Sequence, residues 1–187
     1  IRCLPNFKIL NPCDPKELEE CLKYLCKKNK SPCYLRIGKS GEKNFSENAF
    51  DKWKFNTPRI LVKGSNQICL VGTGPIIKLF FNIKKQLIQK KINPTIISYH
   101  TLKPENDLEI KKILKKYKNI VTLEDISEIN GLSSIFKNKA YDNNFRGKLI
   151  SFSLKDKNIK NYGSQTDLLK AHGISESKIL EKIIKLL

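Results

Sequence analysis

The amino-acid sequence predicts an α/β protein whose main unit is a mostly parallel β-sheet with helices on both faces. Residues 68–71 form a short apolar run that ends in a glycine turn, Gly72-Thr73-Gly74-Pro75. Apolar residues then recur between 76 and 88 at a spacing that places one stripe on a helix. Asn93-Pro94 ends that helix, and the β-branched residues of 95–99 indicate a second buried strand. Strand, helix and strand in this order predict a right-handed parallel βαβ unit.

The first forty residues predict a separate strand–helix–strand segment. Residues 8–10 predict a short strand. Asp14 is the expected N-cap of a helix over 15–28, Pro15 takes its first position, and Glu17 completes a capping box. The residues expected to face inward are Leu18, Cys21, Leu22 and Leu25. Residues 33–37 predict the next strand, and the polar, irregular stretch 41–57 predicts a linker between two domains.

The remainder, residues 58–187, supplies the rest of the sheet. Residues 59–62 and 68–71 flank a turn, which predicts a hairpin whose first strand lies antiparallel at the sheet edge. Further strands are expected at 120–123 and 148–154, for five in all in a Rossmann-like domain. The other expected helices run over 104–118 and 130–142, from Ser164 to a Gly173 C-cap, and from a Ser175 N-cap to the end of the chain.

The charge of the chain raises the question of a nucleic-acid partner. The 187 residues contain 36 basic and 18 acidic side chains, for a net charge of +18. The lysines are spread over several helices, and aromatic residues do not alternate with them as they do in a base-stacking surface. Solvated helix faces are therefore favoured over a nucleic-acid site. No apolar run is long enough to cross a bilayer, which predicts no membrane association.

The cysteines indicate the cellular compartment, and the missing methionines indicate whether the chain is part of a longer protein. None of the six cysteines forms a CxxC pair, so free thiols in a reducing cytoplasm are expected, most of them buried. The chain does not begin with Met and contains none. We therefore expect it to be the C-terminal portion of a longer protein.

Several residues are candidates for a functional site. The Gly-Thr-Gly turn lacks the third glycine of a dinucleotide fingerprint, because Ile77 stands there, so it is interpreted as a turn rather than a phosphate site. The helix N-terminus after Gly74 could still hold a weakly bound anion. Arg36 lies between Leu35 and Ile37 in a strand-like run, where an arginine is usually paired or directed at an anion, since burying it alone is costly. Arg36 is the main candidate for an anion contact.

Three weaker candidates follow from position alone. His100 comes directly after a strand, at the carboxyl edge of the sheet, where α/β folds bind ligands, but it could equally be a hydrogen-bonded turn residue. Glu124 and Asp125 occupy a similar edge and suit either acid–base work or capping of the next helix. His172 precedes Gly173 at a helix end, where a cation is favourable and a structural role is preferred.

Taken in series, these motifs resemble the transketolase-like enzymes. Residues 12–17 and 31–39 are similar to the "P-D-x-x-E" and "P-x-Y-x-R" motifs that close the family's pyrimidine-binding domain. Residues 99–104 resemble its "H-T-x-K-P" turn, residues 123–134 its "E-E-H … G-G-L-G-S" segment, and residues 162–174 its ending. The family's histidine falls on Ile126 and two of its glycines on Asn130 and Ser133, so any role of that histidine is missing here.

The resemblance implies three units: residues 1–40 from the end of a pyrimidine-binding domain, a linker at 41–57, and a transketolase C-terminal domain at 58–187. It implies an enzyme of carbohydrate metabolism that uses thiamine diphosphate and Mg²⁺ to transfer two-carbon or acyl units between sugar phosphates, aldehydes and keto acids. The cofactors would be bound mainly by regions outside this sequence, through a homodimer or a complementary N-terminal subunit, and the chain alone would be inactive. Arg36, and more weakly His100, would contact the substrate.

Two other functions fit the sequence. A basic α/β module could bind a polyanion without catalysis, or the domain could serve only to assemble a partner subunit. Under the enzyme hypothesis, the sequence does not distinguish transketolase from deoxyxylulose-phosphate synthase or a keto-acid dehydrogenase β-type subunit.

Overall fold

The computed structural model describes residues 1–38, 41–160 and 162–187, and its strands form two sheets. The first sheet has the order β2-β1-β6 and the second has the order β3-β5-β4-β7-β8. The strands are β1 Lys8–Leu10, β2 Cys33–Leu35, β3 Arg59–Val62, β4 Ile68–Gly72, β5 Thr95–Ser98, β6 Thr101–Lys103, β7 Asn119–Ser127 and β8 Lys148–Leu154. The helices are α1 Pro15–Lys28, α2 Lys78–Gln89, α3 Asp107–Lys116, α4 Leu132–Asp142, α5 Gln165–Ala171 and α6 Glu176–Leu186.

The N-terminal strand–helix–strand segment forms as predicted, with β1 and β2 parallel. Asp14 caps α1 by accepting from the Glu17 backbone N–H, and Pro15 takes the first helical position. The capping box is not closed, because the Glu17 carboxylate accepts from the Cys13 amide instead of the Asp14 amide. The buried face of α1 is narrower than predicted, because Cys21 is buried whereas Leu22 is 45% exposed.

The five-stranded sheet is mostly parallel, as predicted. β5, β4, β7 and β8 run parallel to one another, and β3 pairs antiparallel with β5 at one edge. Buried side chains of α2 and α6 pack in the core on one face, and those of α3 and α4 pack in the core on the other. Both faces of the sheet are therefore covered by helices. Among the described residues, no helix is both long enough and apolar enough to span a membrane.

The predicted hairpin between β3 and β4 is wrong, because β3 pairs with β5 instead. The connecting loop packs on the loop that precedes β5. Ser65 N donates to Asn93 O at 2.9 Å. Gly64 approaches Pro94 so closely that an added Cβ would lie 2.4 Å from the Pro94 carbonyl carbon. This contact carries the chain past the hairpin position, so that β4 enters the middle of the sheet.

A strand that the sequence did not predict joins the two parts of the chain. Thr101–Lys103 was expected as a turn but forms β6, which pairs antiparallel with β1 of the N-terminal segment. Residues 41–57 contain no helix or strand, as expected, yet Ser46 within them is fully buried. The domain limits remain predictions, and both Lys39 of the resemblance motif and the expected boundary at residue 40 lie outside the described residues.

Candidate substrate-facing site

Arg36 is fixed by an acidic residue from the other sheet. It directly follows β2, and its guanidinium faces Asp125 near the carboxyl end of β7. Nη1 donates to Asp125 Oδ1 at 2.5 Å and Nη2 donates to Oδ2 at 3.0 Å, which makes a bidentate pair. The Arg36 side chain is 31% exposed and that of Asp125 11%. The pair therefore connects the N-terminal segment to the C-terminal domain through a partly buried contact.

The guanidinium of Arg36 keeps unused donors beside open space. Burial is the largest single influence and lowers the pKa of Arg36, but the hydrogen bonds and charge of Asp125, together with smaller contributions from Tyr34 and Glu124, raise that pKa above its ordinary value. A guanidinium has five N–H donors, and among the described residues Nε–H has no protein acceptor. Two cavities of about 440 and 490 Å³ both include Arg36 and Asp125 in their linings. The pair thus stands between two spaces where an anion could approach.

A second guanidinium lies at the rim of the 440 Å³ cavity. Arg2 forms an ion pair with Glu105 at 2.5 Å and donates to Asn130 O at 2.7 Å. Tyr34 and Asn11 line the same cavity. Sequence reasoning missed Arg2, since it stands near the start of the chain outside any recognisable motif.

His100 lies in the interior, and the geometry gives it a structural role. It is 0% exposed. Its Nε2 lies 3.1 Å from Thr57 O, its Nδ1 lies 2.9 Å from Thr101 Oγ1, and its ring stacks on Trp53 with centroids 5.1 Å apart. Burial lowers the pKa of His100, which favours a neutral ring that donates from Nε2 and accepts at Nδ1. This arrangement does not support the expectation that His100 contacts substrate. It supports the alternative, in which His100 is a hydrogen-bonded structural residue.

Glu124 caps a helix, which was one of its two predicted roles. The carboxylate is fully buried and accepts from Leu132 N at 2.6 Å and Ser133 N at 2.8 Å, at the start of α4. Burial raises the pKa of Glu124, and these hydrogen bonds offset part of that rise. A Cβ at Gly131 would lie 2.2 Å from Glu124 Oε2, so glycine is needed there. Asn130 adopts φ 61° in place of a family glycine, a conformation that asparagine tolerates.

The glycine turn after β4 is occupied by protein groups, which supports its interpretation as a turn. Thr73 N donates to Leu123 O and Gly74 N donates to Asn11 O, each at 3.1 Å. Gly74 has φ 76°, and an added Cβ would lie 2.6 Å from the Asn11 amide. A three-residue 3-10 helix, Pro75–Ile77, follows before α2. The amides of Thr73 and Gly74 are therefore already bonded to protein carbonyls.

The remaining predicted candidates have no arrangement suited to catalysis. His172 closes α5, and its Nδ1 accepts from Lys155 N at 3.0 Å. All six cysteines are free; half of them are exposed, where most had been expected to be buried. The buried thiols are those of Cys13, Cys21 and Cys69. In the part of the chain that the structure describes, no group of three or more His, Cys, Asp or Glu side chains could hold a metal ion.

A buried polar cluster at the start of α1 holds the linker in place. The Asp14 carboxylate, 3% exposed, accepts four hydrogen bonds of 2.6–2.8 Å, from Glu17 N, Phe45 N, Ser46 N and Ser46 Oγ. Glu17 accepts in turn from Ser98 Oγ at 2.7 Å, at the end of β5. The sequence indicated only the capping role of Asp14. Its contacts to residues 45 and 46, some thirty positions away, had no local signal.

The chain belongs to the transketolase C-terminal domain family, whose model matches residues 58–179. It is similar to 1-deoxy-D-xylulose-5-phosphate synthase of Clostridium tetani, with 28% identity over 191 residues. It is also similar to the enzyme of the same name from Fusobacterium nucleatum, with 27% identity over 187 residues. These alignments cover 98% of this chain, but 29% and 30% of the relatives. The chain thus spans less than a third of the length of these relatives.

Solved structures agree on the fold. The chain superposes over its whole length on 58% of a split-gene transketolase described as an inactive β4 tetramer, with a TM-score of 0.82 and 19% identity. Transketolase from Campylobacter jejuni matches 98% of the chain over 27% of its own length, with a TM-score of 0.60 and 14% identity. Because the first match includes residues 1–57, it extends the likeness beyond the C-terminal domain to the N-terminal segment.

Proposed function

We propose that the protein acts as the C-terminal portion of a thiamine-diphosphate-dependent enzyme that forms 1-deoxy-D-xylulose 5-phosphate. The proposal is supported by membership of the transketolase C-terminal family and by relatives that carry the synthase name across 97–99% of this chain. The observation that carries it is the union of two units: the strand–helix–strand segment is joined to the C-terminal domain through β6 and through the Arg36–Asp125 pair.

The product named for these relatives defines the class of reaction. In 1-deoxy-D-xylulose 5-phosphate, the methyl-ketone end is a two-carbon acyl unit, and the other three carbons carry the phosphate. A short 2-keto acid that loses CO₂ can supply the acyl unit, and a three-carbon aldehyde phosphate can accept it. Both substrates are anions. A fixed arginine beside an open cavity suits such substrates.

Arg36 is the residue to which we assign the anion contact. Asp125 fixes the plane of its guanidinium, which leaves Nε–H available for a phosphate or carboxylate oxygen. A pre-positioned donor loses little side-chain entropy when substrate binds. Asp125 also neutralises part of the charge of Arg36, so the pair should favour an anion that can match its geometry over anions in general.

The described residues hold no cluster of three or more potential metal ligands, and the amides of Thr73 and Gly74 in the glycine turn are already hydrogen-bonded. We therefore assign no step of the reaction to the cofactor through this chain. A homodimer, or a complementary N-terminal transketolase subunit, would bring the cofactor-binding regions. Exposed free thiols favour a cytoplasmic location.

The test is product formation by the full-length native protein, purified with any subunit that accompanies it. With thiamine diphosphate and Mg²⁺, a 2-keto acid and a three-carbon aldehyde phosphate should yield the 1-deoxy pentulose phosphate, and a ketose phosphate donor should yield none. A product that retains oxygen on its first carbon, 16 Da heavier, would instead identify a transketolase. No cofactor-dependent product from any donor would contradict the enzyme function and favour a binding or assembly module.

A further inference from the structure

β8 forms one edge of the five-stranded sheet. β8 stands last in the strand order, and among the described strands its only neighbour is β7. It is seven residues long, which corresponds to about 23 Å of strand. Backbone N–H and C=O groups on the outer side of an edge strand can pair with another extended chain. Residues 148–151 and 154 are at least partly exposed, whereas Phe152 and Ser153 are buried.

A groove runs beside this edge. It has a volume of about 430 Å³, and three consecutive residues of β8, Ser151, Phe152 and Ser153, form part of its wall. Successive side chains of a strand point to opposite faces, so three in a row can line one cavity only where the strand's edge forms the wall. α6 and the turn between α5 and α6 form the other sides.

The groove is positively charged. Its lining includes Lys155, Lys178, Lys182 and Lys185 against two acidic residues, Glu128 and Glu181. Lys185 pairs with Glu181, and Lys182 Nζ lies 5.4 Å from the centroid of the Phe152 ring. Among the described residues, Lys155, Lys178 and Lys182 have no carboxylate within salt-bridge distance. The three lysines of α6 recur at i, i+4 and i+7, so they extend about 11 Å along the helix beside the groove.

We propose that this groove binds an acidic peptide segment of a partner protein, which adds as a strand beside β8 and places its carboxylates against the lysines. Strand addition to an open edge supplies main-chain hydrogen bonds, and charge supplies the preference for an acidic partner. A lone phosphate could not reach lysines spread over about 11 Å. This surface is distinct from Arg36 and does not depend on the enzymatic function.

The first test uses the full-length native protein and a fluorescein-labelled eight-residue peptide of alternating Glu and Val. Fluorescence anisotropy should show saturable binding at low salt that weakens as salt increases. The double variant Lys178→Glu/Lys182→Glu should weaken binding at least tenfold. The matched control Lys85→Glu/Lys90→Glu, on and just after α2, makes the same change in net charge at exposed positions and should change binding less than twofold.

Two further peptides separate strand addition from simple charge attraction. A Glu–Val peptide that is N-methylated at alternate residues retains its charge but loses main-chain donors, and it should bind at least tenfold more weakly. A Lys–Val peptide should not bind. The proposal is overturned if the N-methylated peptide binds as well as the parent, if both double variants lose binding equally, or if no peptide binds. In the last case, self-association of Lys178→Glu/Lys182→Glu alone would show that the lysines only protect the edge from pairing.

Discussion

Replacing Asp14 by alanine should loosen the connection between the N-terminal segment and the linker. The carboxylate is almost fully buried and accepts four hydrogen bonds, one from the first turn of α1 and three from residues 45 and 46. Alanine removes every acceptor at once and leaves these donors without partners. The change adds no bulk, so the loss of hydrogen bonds should dominate its effect.

The size of the effect follows from the number of bonds. A net contribution of about 1 kcal/mol for each of four bonds gives a loss of about 4 kcal/mol in the free energy of unfolding. Asp14→Asn keeps one acceptor oxygen but turns an amide N–H₂ either toward Phe45 N and Ser46 N or toward Glu17 N and Ser46 Oγ, so it should lose about half as much.

The assay is urea unfolding of the purified native protein, together with hydrogen exchange of the Phe45 and Ser46 amides. Both amides donate to Asp14 and should exchange much faster in Asp14→Ala. Lys16→Ala is a suitable control, because Lys16 is an exposed residue of the same helix turn. A loss below about 1 kcal/mol with unchanged exchange at both amides would refute the reasoning.

Three further predictions concern burial. Gly131→Ala should destabilise the protein by about 1–3 kcal/mol in urea unfolding, because its Cβ would overlap Glu124 Oε2. Gly41→Ala is the control: a Cβ there would have nothing within 4 Å, but φ is +72°, so this variant measures backbone strain without overlap. Burial lowers the pKa of His100 below 6.5, so near that pH the unfolded chain binds a proton that the folded chain does not. The free energy of unfolding should therefore fall as pH drops below 6.5, and it should fall less steeply in His100→Gln. A thiol reagent should modify only the exposed cysteines in native protein, as peptide mass spectrometry would show. Modification of a buried cysteine would contradict its burial in the fold. The exposed cysteines are Cys3, Cys26 and Cys33.

Local patterns predicted the parts of the fold that local contacts build. The unit from β4 through α2 to β5 formed as expected, because its apolar spacing and its Asn93-Pro94 stop lie within one stretch of chain. The order of the strands could not be read in the same way. β3 leaves β4 because Gly64 packs on Pro94, and β6 exists because β1, some ninety residues earlier, pairs with it. Such pairings depend on contacts between segments that are distant in sequence.

In the candidate site, too, local sequence predicted some features, and contacts between distant segments determined the others. An arginine in a strand-like run was expected to be paired or directed at an anion, and the structure pairs Arg36 with Asp125, 89 positions away. Sequence position placed His100 at the ligand edge of the sheet, but Trp53 of the linker covers its ring. The linker was predicted to be irregular, which is correct, yet nothing in its composition indicated which residues it would bury.

The central claim is that Arg36 binds a substrate anion in addition to joining the two units. The most direct measurement is the KM for each anionic substrate, the phosphorylated acceptor and the 2-keto acid, in Arg36→Ala and in the reversed pair Arg36→Asp/Asp125→Arg, with urea unfolding alongside. We expect Arg36→Ala to raise one of these KM values about tenfold or more. The reversed pair should recover stability but not that KM, because its guanidinium then projects from β7. Recovery of both stability and KM in the reversed pair, or unchanged KM values for both substrates in Arg36→Ala, would show that Arg36 only joins the two units.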